Sequence, residues 1–103
     1  MEIKVFAEVE KERARQDEKW GEQNHPDGTG AETDQDSARL MKGATDYAAQ
    51  HGVLTFRHIL IEEVYEAFAE SDPAKLRVEL IQVAAVALQW VEAIDRRSGV
   101  RTD

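Results

Sequence analysis

Between residues 3 and 97 the chain carries almost nothing that would stop a helix outside a few short segments. Two prolines and six glycines serve 103 residues, and the β-branched alternation that marks strands is nowhere sustained. The punctuation is concentrated in Gly21 to Asp36 (GEQNHPDGTGAETDQD), which holds one proline, three of the six glycines and no large apolar residue. This predicts an all-α chain of four helices with one mobile loop over residues 21–36. The first helix runs from about Ile3 to Trp20. Asp36 and Ser37 cap the second, which ends near Gln50 before Gly52. Thr55, Arg57 and His58 open the third, which lasts to about Glu70. Ser71-Asp72-Pro73 is a stop and restart, with Asp72 as N-cap and proline at the first position of a fourth helix ending near Arg97. The tail, residues 98–103, is expected to fray.

At 11.6 kDa a single domain over residues 1–103 is expected, with too little interior for a separate cofactor domain. The fourth helix is apolar nearly all round from Leu80 to Val91, more than three short neighbours can cover. A homo-oligomer, a dimer or a dimer of dimers, is therefore expected to complete the bundle.

Charge narrows the partners. Twenty-one acidic against thirteen basic side chains give a net charge of −8, which argues against nucleic acid and anionic membranes as partners. Any polyanionic substrate needs cations to bridge it to such a surface. The absence of cysteine excludes disulfides, a thiolate nucleophile, zinc-thiolate sites and iron-sulfur clusters, and a reducing, cytoplasmic setting fits it. Met1-Glu2-Ile3-Lys4 shows no signal-peptide core, and the run Leu80 to Val91, interrupted by Gln82 and Gln89, is too short to span a bilayer.

Two places put polar groups on apolar faces. On the first helix Val5, Phe6, Val9, Arg13, Gln16 and Trp20 fall within an arc of about 100°. Either Trp20 plugs the end of the core, or this end lines a pocket in which Trp20 stacks on a planar ligand and Gln16 or Lys19 reaches its polar atoms. On the third helix Glu62, Glu63, Glu66 and Glu70 share an arc of about 100°, with Glu63 between Ile59 and Phe56. On the fourth, Glu79 stands in a stripe with Val83, Val86 and Trp90 that otherwise reads as buried, and Gln82 lies one turn on. These acids are either a plain solvated face or, at a core boundary, must be protonated, paired with Arg or Lys, or bound to cations. Two helices each supplying acids at i,i+3 suit a hard divalent cation with oxygen ligands. A di-iron bundle needs Glu-x-x-His on two helices, and only Glu22-Gln-Asn-His25, in the loop, has that spacing. His51 and His58 read as cap or surface residues.

Glu62-Glu63-x-x-Glu66 followed by Glu79-Leu80-Ile81-Gln82 resembles the Glu-Glu-x-x-Glu and Glu-x-x-Asp signature of MazG-like all-α nucleoside triphosphate pyrophosphohydrolases. The segment from Gln16 through Lys19-Trp20-Gly21 to His25-Pro26 also looks like the first-helix region of small phage and bacterial MazG-like proteins. The resemblance covers about Gln16 to Arg97. It implies a four-helix MazG-like bundle that uses Mg²⁺, with Mn²⁺ as a possible substitute, to cleave NTP or dNTP to the monophosphate and pyrophosphate. It further implies that Glu63, Glu66 and Glu79 ligate metal, and that Glu62 is an outer-shell group or the base that positions water. Gln82 stands where the family usually has Asp, so one metal position loses a charged ligand. The remaining readings are a catalytically weak MazG-like nucleotide-binding module and a purely structural helical adaptor.

Overall fold

The computed structural model describes residues 3–97, and these form four α-helices with no strand among them. They are α1 (Ile3–Trp20), α2 (Glu32–Gln50), α3 (Phe56–Ala69) and α4 (Pro73–Arg97). The expected fraying of 98–103 lies outside the described residues. The chain divides into two compact units. One holds α1, the first part of the following loop and the last turns of α4 from Leu88 onward; the other is Gly28–Ala87.

In the first unit, α1 is built from strong helix formers and braced along its surface by ion pairs between Arg13 and Asp17 and between Arg15 and Glu12. Val5 alone is buried on this helix; Phe6, Val9 and Trp20 are exposed.

In the second unit α2 packs on α3. Helix α2 begins at Glu32, with Ala31 as N-cap and no side-chain cap, so Asp36 and Ser37 are interior residues and the loop ends at residue 31 instead of 36. The physical reason is that the start is made by backbone and charge. The Ala31 carbonyl accepts from the Asp34 and Gln35 amides, and Glu32 and Asp34 sit in the first turn, at the positive end of the helix dipole. Asp36 instead pairs with Arg39 on the helix surface. At the other end Val53 N–H donates to Ala48 O and Gly52 N–H to Ala49 O, a Schellman pair that needs the left-handed φ of +69° at Gly52. His51 is the C-cap, as expected of it.

Helix α3 opens on a reciprocal capping box. Thr55 Oγ1 accepts from His58 N–H at 3.2 Å, and Thr55 N–H donates to His58 Nδ1 at 3.1 Å. Thr45, itself buried, donates its hydroxyl to the His58 carbonyl at 3.1 Å and ties α2 to this turn. Removing the cap with Thr55→Ala should cost about 1 kcal/mol, a fall in Tm of about 4–8 °C in a chain this size, read by thermal unfolding.

The end of α3 is held by the loop. Gly30 N–H donates to Phe68 O at 2.8 Å and Thr29 Oγ1 to Glu70 O, so the last part of residues 21–31 is pinned to α3. Gly30 has φ +93°, and a Cβ there would lie 2.7 Å from Ser71 Cβ, so only glycine allows this approach. Helix α4 restarts as its sequence predicts: Asp72 Oδ2 accepts from Lys75 N–H at 3.0 Å, with Pro73 at the first helical position. Its stripe of Val83, Val86 and Trp90 is half-buried in this chain, not fully buried, and Leu80, Ile81, Val91 and Ile94 are exposed. The buried apolar side chains of the second unit are Ala48, Ala67 and Leu76.

Candidate metal centre

The short connection between α3 and α4 decides which acids meet. Counting back along α3 and forward along α4 from that turn pairs earlier residues with later ones, as in an antiparallel helix hairpin. Glu63 and Glu66 of α3 thereby come together with Glu79 of α4, one carboxylate oxygen of each lying within 4.8 Å of the others. All three side chains are half-buried.

No described lysine or arginine pairs with them; the ion pairs seen elsewhere include Arg13–Asp17, Arg15–Glu12, Arg39–Asp36 and Lys42–Asp46. Of the three ways to stabilise acids at a core boundary, the internal salt bridge is therefore absent among the described residues. The electrostatics reflect this. Partial burial pushes the Glu63 carboxyl above the usual carboxylate range, and the negative charges of Glu66, Glu79 and Glu62 push it further. Glu79 is raised by partial burial, then by the charge of Glu66 and a hydrogen bond with it, and by Glu70.

The donor set fits a hard divalent cation. Given metal–oxygen distances near 2.1 Å, adjacent oxygens around Mg²⁺ are about 3.0 Å apart and opposite ones about 4.2 Å, so a triad of oxygens within 4.8 Å must draw together to close on such an ion. Glu62 is half-buried beside Glu63 and adds to the local negative potential, but is not one of the three converging acids. Gln82 is exposed, and its amide reaches both helices. With the nitrogen directed at the acids, Nε2 donates to Glu63 Oε2 at 3.0 Å and to Glu79 Oε2 at 3.1 Å.

These shifts give a pH dependence with a definite sign. A carboxyl whose folded-state pKa is raised binds its proton more tightly when folded, so its stabilising contribution is present below the unfolded value and is lost as pH rises through the folded one. Without divalent cations, Tm should rise as pH falls toward the ordinary carboxylate range. The slope should flatten in Glu79→Gln and when Mg²⁺ is added. A Tm that fell over this interval in both proteins would contradict the strained cluster.

The other predicted residues gather in the first unit. Gln16, Lys19 and Trp20 line a shallow open cavity of ≈ 130 Å³ along α1, together with Glu12 and Arg15. Gln16 Oε1 accepts from Arg13 Nη1 at 2.9 Å, and Lys19 Nζ lies 4.9 Å from the Trp20 ring centre. Trp20 is 63% exposed, so it does not plug the core of this chain and its ring is free to meet a ligand. Arg15 went unpredicted here; its spacing of four from Lys19 was the available signal.

No helix among the described residues is long and apolar enough to cross a membrane. No protein-family model, no curated protein and no solved structure matches this chain.

Proposed function

We propose that this chain is a divalent-cation-dependent nucleoside triphosphate pyrophosphohydrolase, which cuts the bond between the α- and β-phosphates of an NTP or dNTP to release the monophosphate and pyrophosphate. The observation that carries the reading is the half-buried triad Glu63, Glu66 and Glu79, drawn from two helices without a described basic partner. The sequence resemblance to MazG-like pyrophosphohydrolases supports the same assignment.

Glu63, Glu66 and Glu79 would hold Mg²⁺, with Mn²⁺ as a substitute. The cation supplies neutralisation of the phosphate charge and activation of water. In a chain of net charge −8 that neutralisation is what permits a triphosphate to bind at all. Glu62, next to the triad, orients the attacking water or accepts its proton. On α1, considered by itself, Trp20 would offer a ring face to a planar ligand, and Lys19 and Gln16 polar contacts. A second copy of the chain covers the exposed apolar side chains of α4, Leu80, Ile81, Val91 and Ile94 among them. Light scattering should give at least a dimer, and a stable monomer at micromolar concentration would contradict this.

A panel of nucleoside triphosphates incubated with Mg²⁺ and with Mn²⁺ tests the activity. Equimolar monophosphate and pyrophosphate are expected. Diphosphate with orthophosphate would mean cleavage at the other anhydride. Gln82, neutral where the family usually has an acid, favours a second reading, a module that binds nucleotide and turns it over weakly or not at all. That module would retain nucleotide in equilibrium dialysis with no product in the panel.

A further inference from the structure

Helix α2 has more apolar surface than its own chain covers. Thr45 and Ala48 are buried and mark the side turned inward. About a third of a turn away, Leu40, Gly43, Ala44 and Tyr47 form a second stripe at the i, i+3, i+4, i+7 spacing of a packing face, and all four are exposed. Leu40 is 68% and Tyr47 64% exposed, and the Tyr47 ring stacks at 4.1 Å on that of His51. At the middle of the stripe Gly43 occupies a helix interior, where only proline is less favourable. A Cβ there would meet nothing within 4 Å, so nothing among the described residues calls for glycine. What glycine does permit is the close approach of another backbone.

The charges beside the stripe say which backbone. Arg39 and Asp46 lie along one edge of it, each paired within its own helix, Arg39 with Asp36 and Asp46 with Lys42. Such exposed pairs one turn apart are weak and exchange partners readily. A two-fold axis between residues 43 and 44 sets a second α2 antiparallel to the first. Leu40 then stands opposite the partner's Tyr47, and Gly43 opposite the partner's Ala44. The same edge of each helix meets in that arrangement, so Arg39 comes within two residues of the partner's Asp46, about 3 Å along the axis. Opposite charges meet twice. A parallel pair would set Arg39 against Arg39 and Asp46 against Asp46.

We propose that this face of α2 binds a second copy of the chain, as an antiparallel helix pair crossing at Gly43 and Ala44. Burial of Leu40 against the partner's Tyr47 drives the pairing, the two Arg39–Asp46 pairs fix its direction, and Gly43 sets how closely the helices approach. The contact is separate from the cover of α4 given above and does not depend on it.

The test is sedimentation equilibrium of the full chain at micromolar concentration, with circular dichroism to follow helix content. Wild type should be at least a dimer. Gly43→Gln is a better helix former with open space in the single chain, so it should halve the wild-type mass with helix content level or higher. Asp46→Arg should weaken association at least about tenfold by setting Arg39 against a like charge, and Arg39→Asp combined with Asp46→Arg should restore it. A tetramer that falls to a dimer in Gly43→Gln would support this contact and the cover of α4 together. A dimer that falls to a monomer would support this contact and contradict the other. Wild-type mass in Gly43→Gln, or a double variant as weak as Asp46→Arg, would overturn the α2 pair. A monomeric wild type would also overturn it and leave the face to a different protein.

Discussion

Glu63→Gln, Glu66→Gln and Glu79→Gln should each lower cation-dependent hydrolysis on the order of 100-fold or more, while Tm in EDTA stays level or rises. The two readouts move apart because each carboxylate has two opposed effects. With a cation present it is a ligand. Without one it is a half-buried charge facing two others, which raises Glu63 and Glu79 above the ordinary carboxylate range. Replacing one acid by its amide removes a ligand and relieves repulsion in a single step. An acid held by a hidden arginine would behave oppositely, losing stability when neutralised. Glu62→Gln separates chemistry from binding, because Glu62 borders the triad without converging on it. Turnover should fall with cation affinity nearly unchanged. Turnover against Mg²⁺ concentration, with Tm in EDTA for each variant, checks all four.

Trp20→Ala should raise the KM for nucleoside triphosphates by about tenfold or more, with cation affinity unchanged. Stacking of a base on an aromatic ring is worth about 1–3 kcal/mol, and 1.4 kcal/mol is a factor of ten. The ring is 63% exposed, so its removal leaves no cavity and little effect on folding is expected. Lys19 lies against the same ring, and its ammonium gains contact with phosphate or base oxygens only if a ligand is stacked there. Trp20→Phe keeps an aromatic face and should recover most of the loss. Steady-state kinetics at saturating Mg²⁺ measure the effect, and an unchanged KM in Trp20→Ala would contradict a role for the Trp20 ring in binding nucleotide.

Helix ends were legible where a side chain makes them. Thr55 with His58 and Asp72 with Pro73 announce α3 and α4 because the capping groups are written in the sequence. The start of α2 was not legible. Ala31 caps through its backbone carbonyl, and the stronger cap signal at Asp36 and Ser37 belongs to residues inside the helix. The pinning of residues 29 and 30 to the end of α3 is likewise made by an amide, a hydroxyl and a close backbone approach, visible beforehand only as glycines around Thr29.

For the candidate site, helical spacing was enough to place Glu63, Glu66 and Glu79 toward one another, since the turn at 70–72 fixes which turns of α3 and α4 meet. Burial was harder. A hydrophobic stripe shows which face turns inward, yet Val83, Val86 and Trp90 are only half-covered, because coverage depends on neighbours that periodicity does not count. The amide of Gln82 was legible as a missing charge but not as a donor to two helices at once. That depends on where α3 places Glu63 against α4, which helical spacing alone does not set.

The central claim is that Glu63, Glu66 and Glu79 together hold one divalent cation, and Mn²⁺ titration of wild type against Glu79→Gln tests it most directly. Wild type should bind Mn²⁺ with a defined stoichiometry that Mg²⁺ competes away, and Glu79→Gln should bind at least about tenfold more weakly while folding normally. Equal affinity in the two proteins, or no saturable binding in wild type, would contradict the claim.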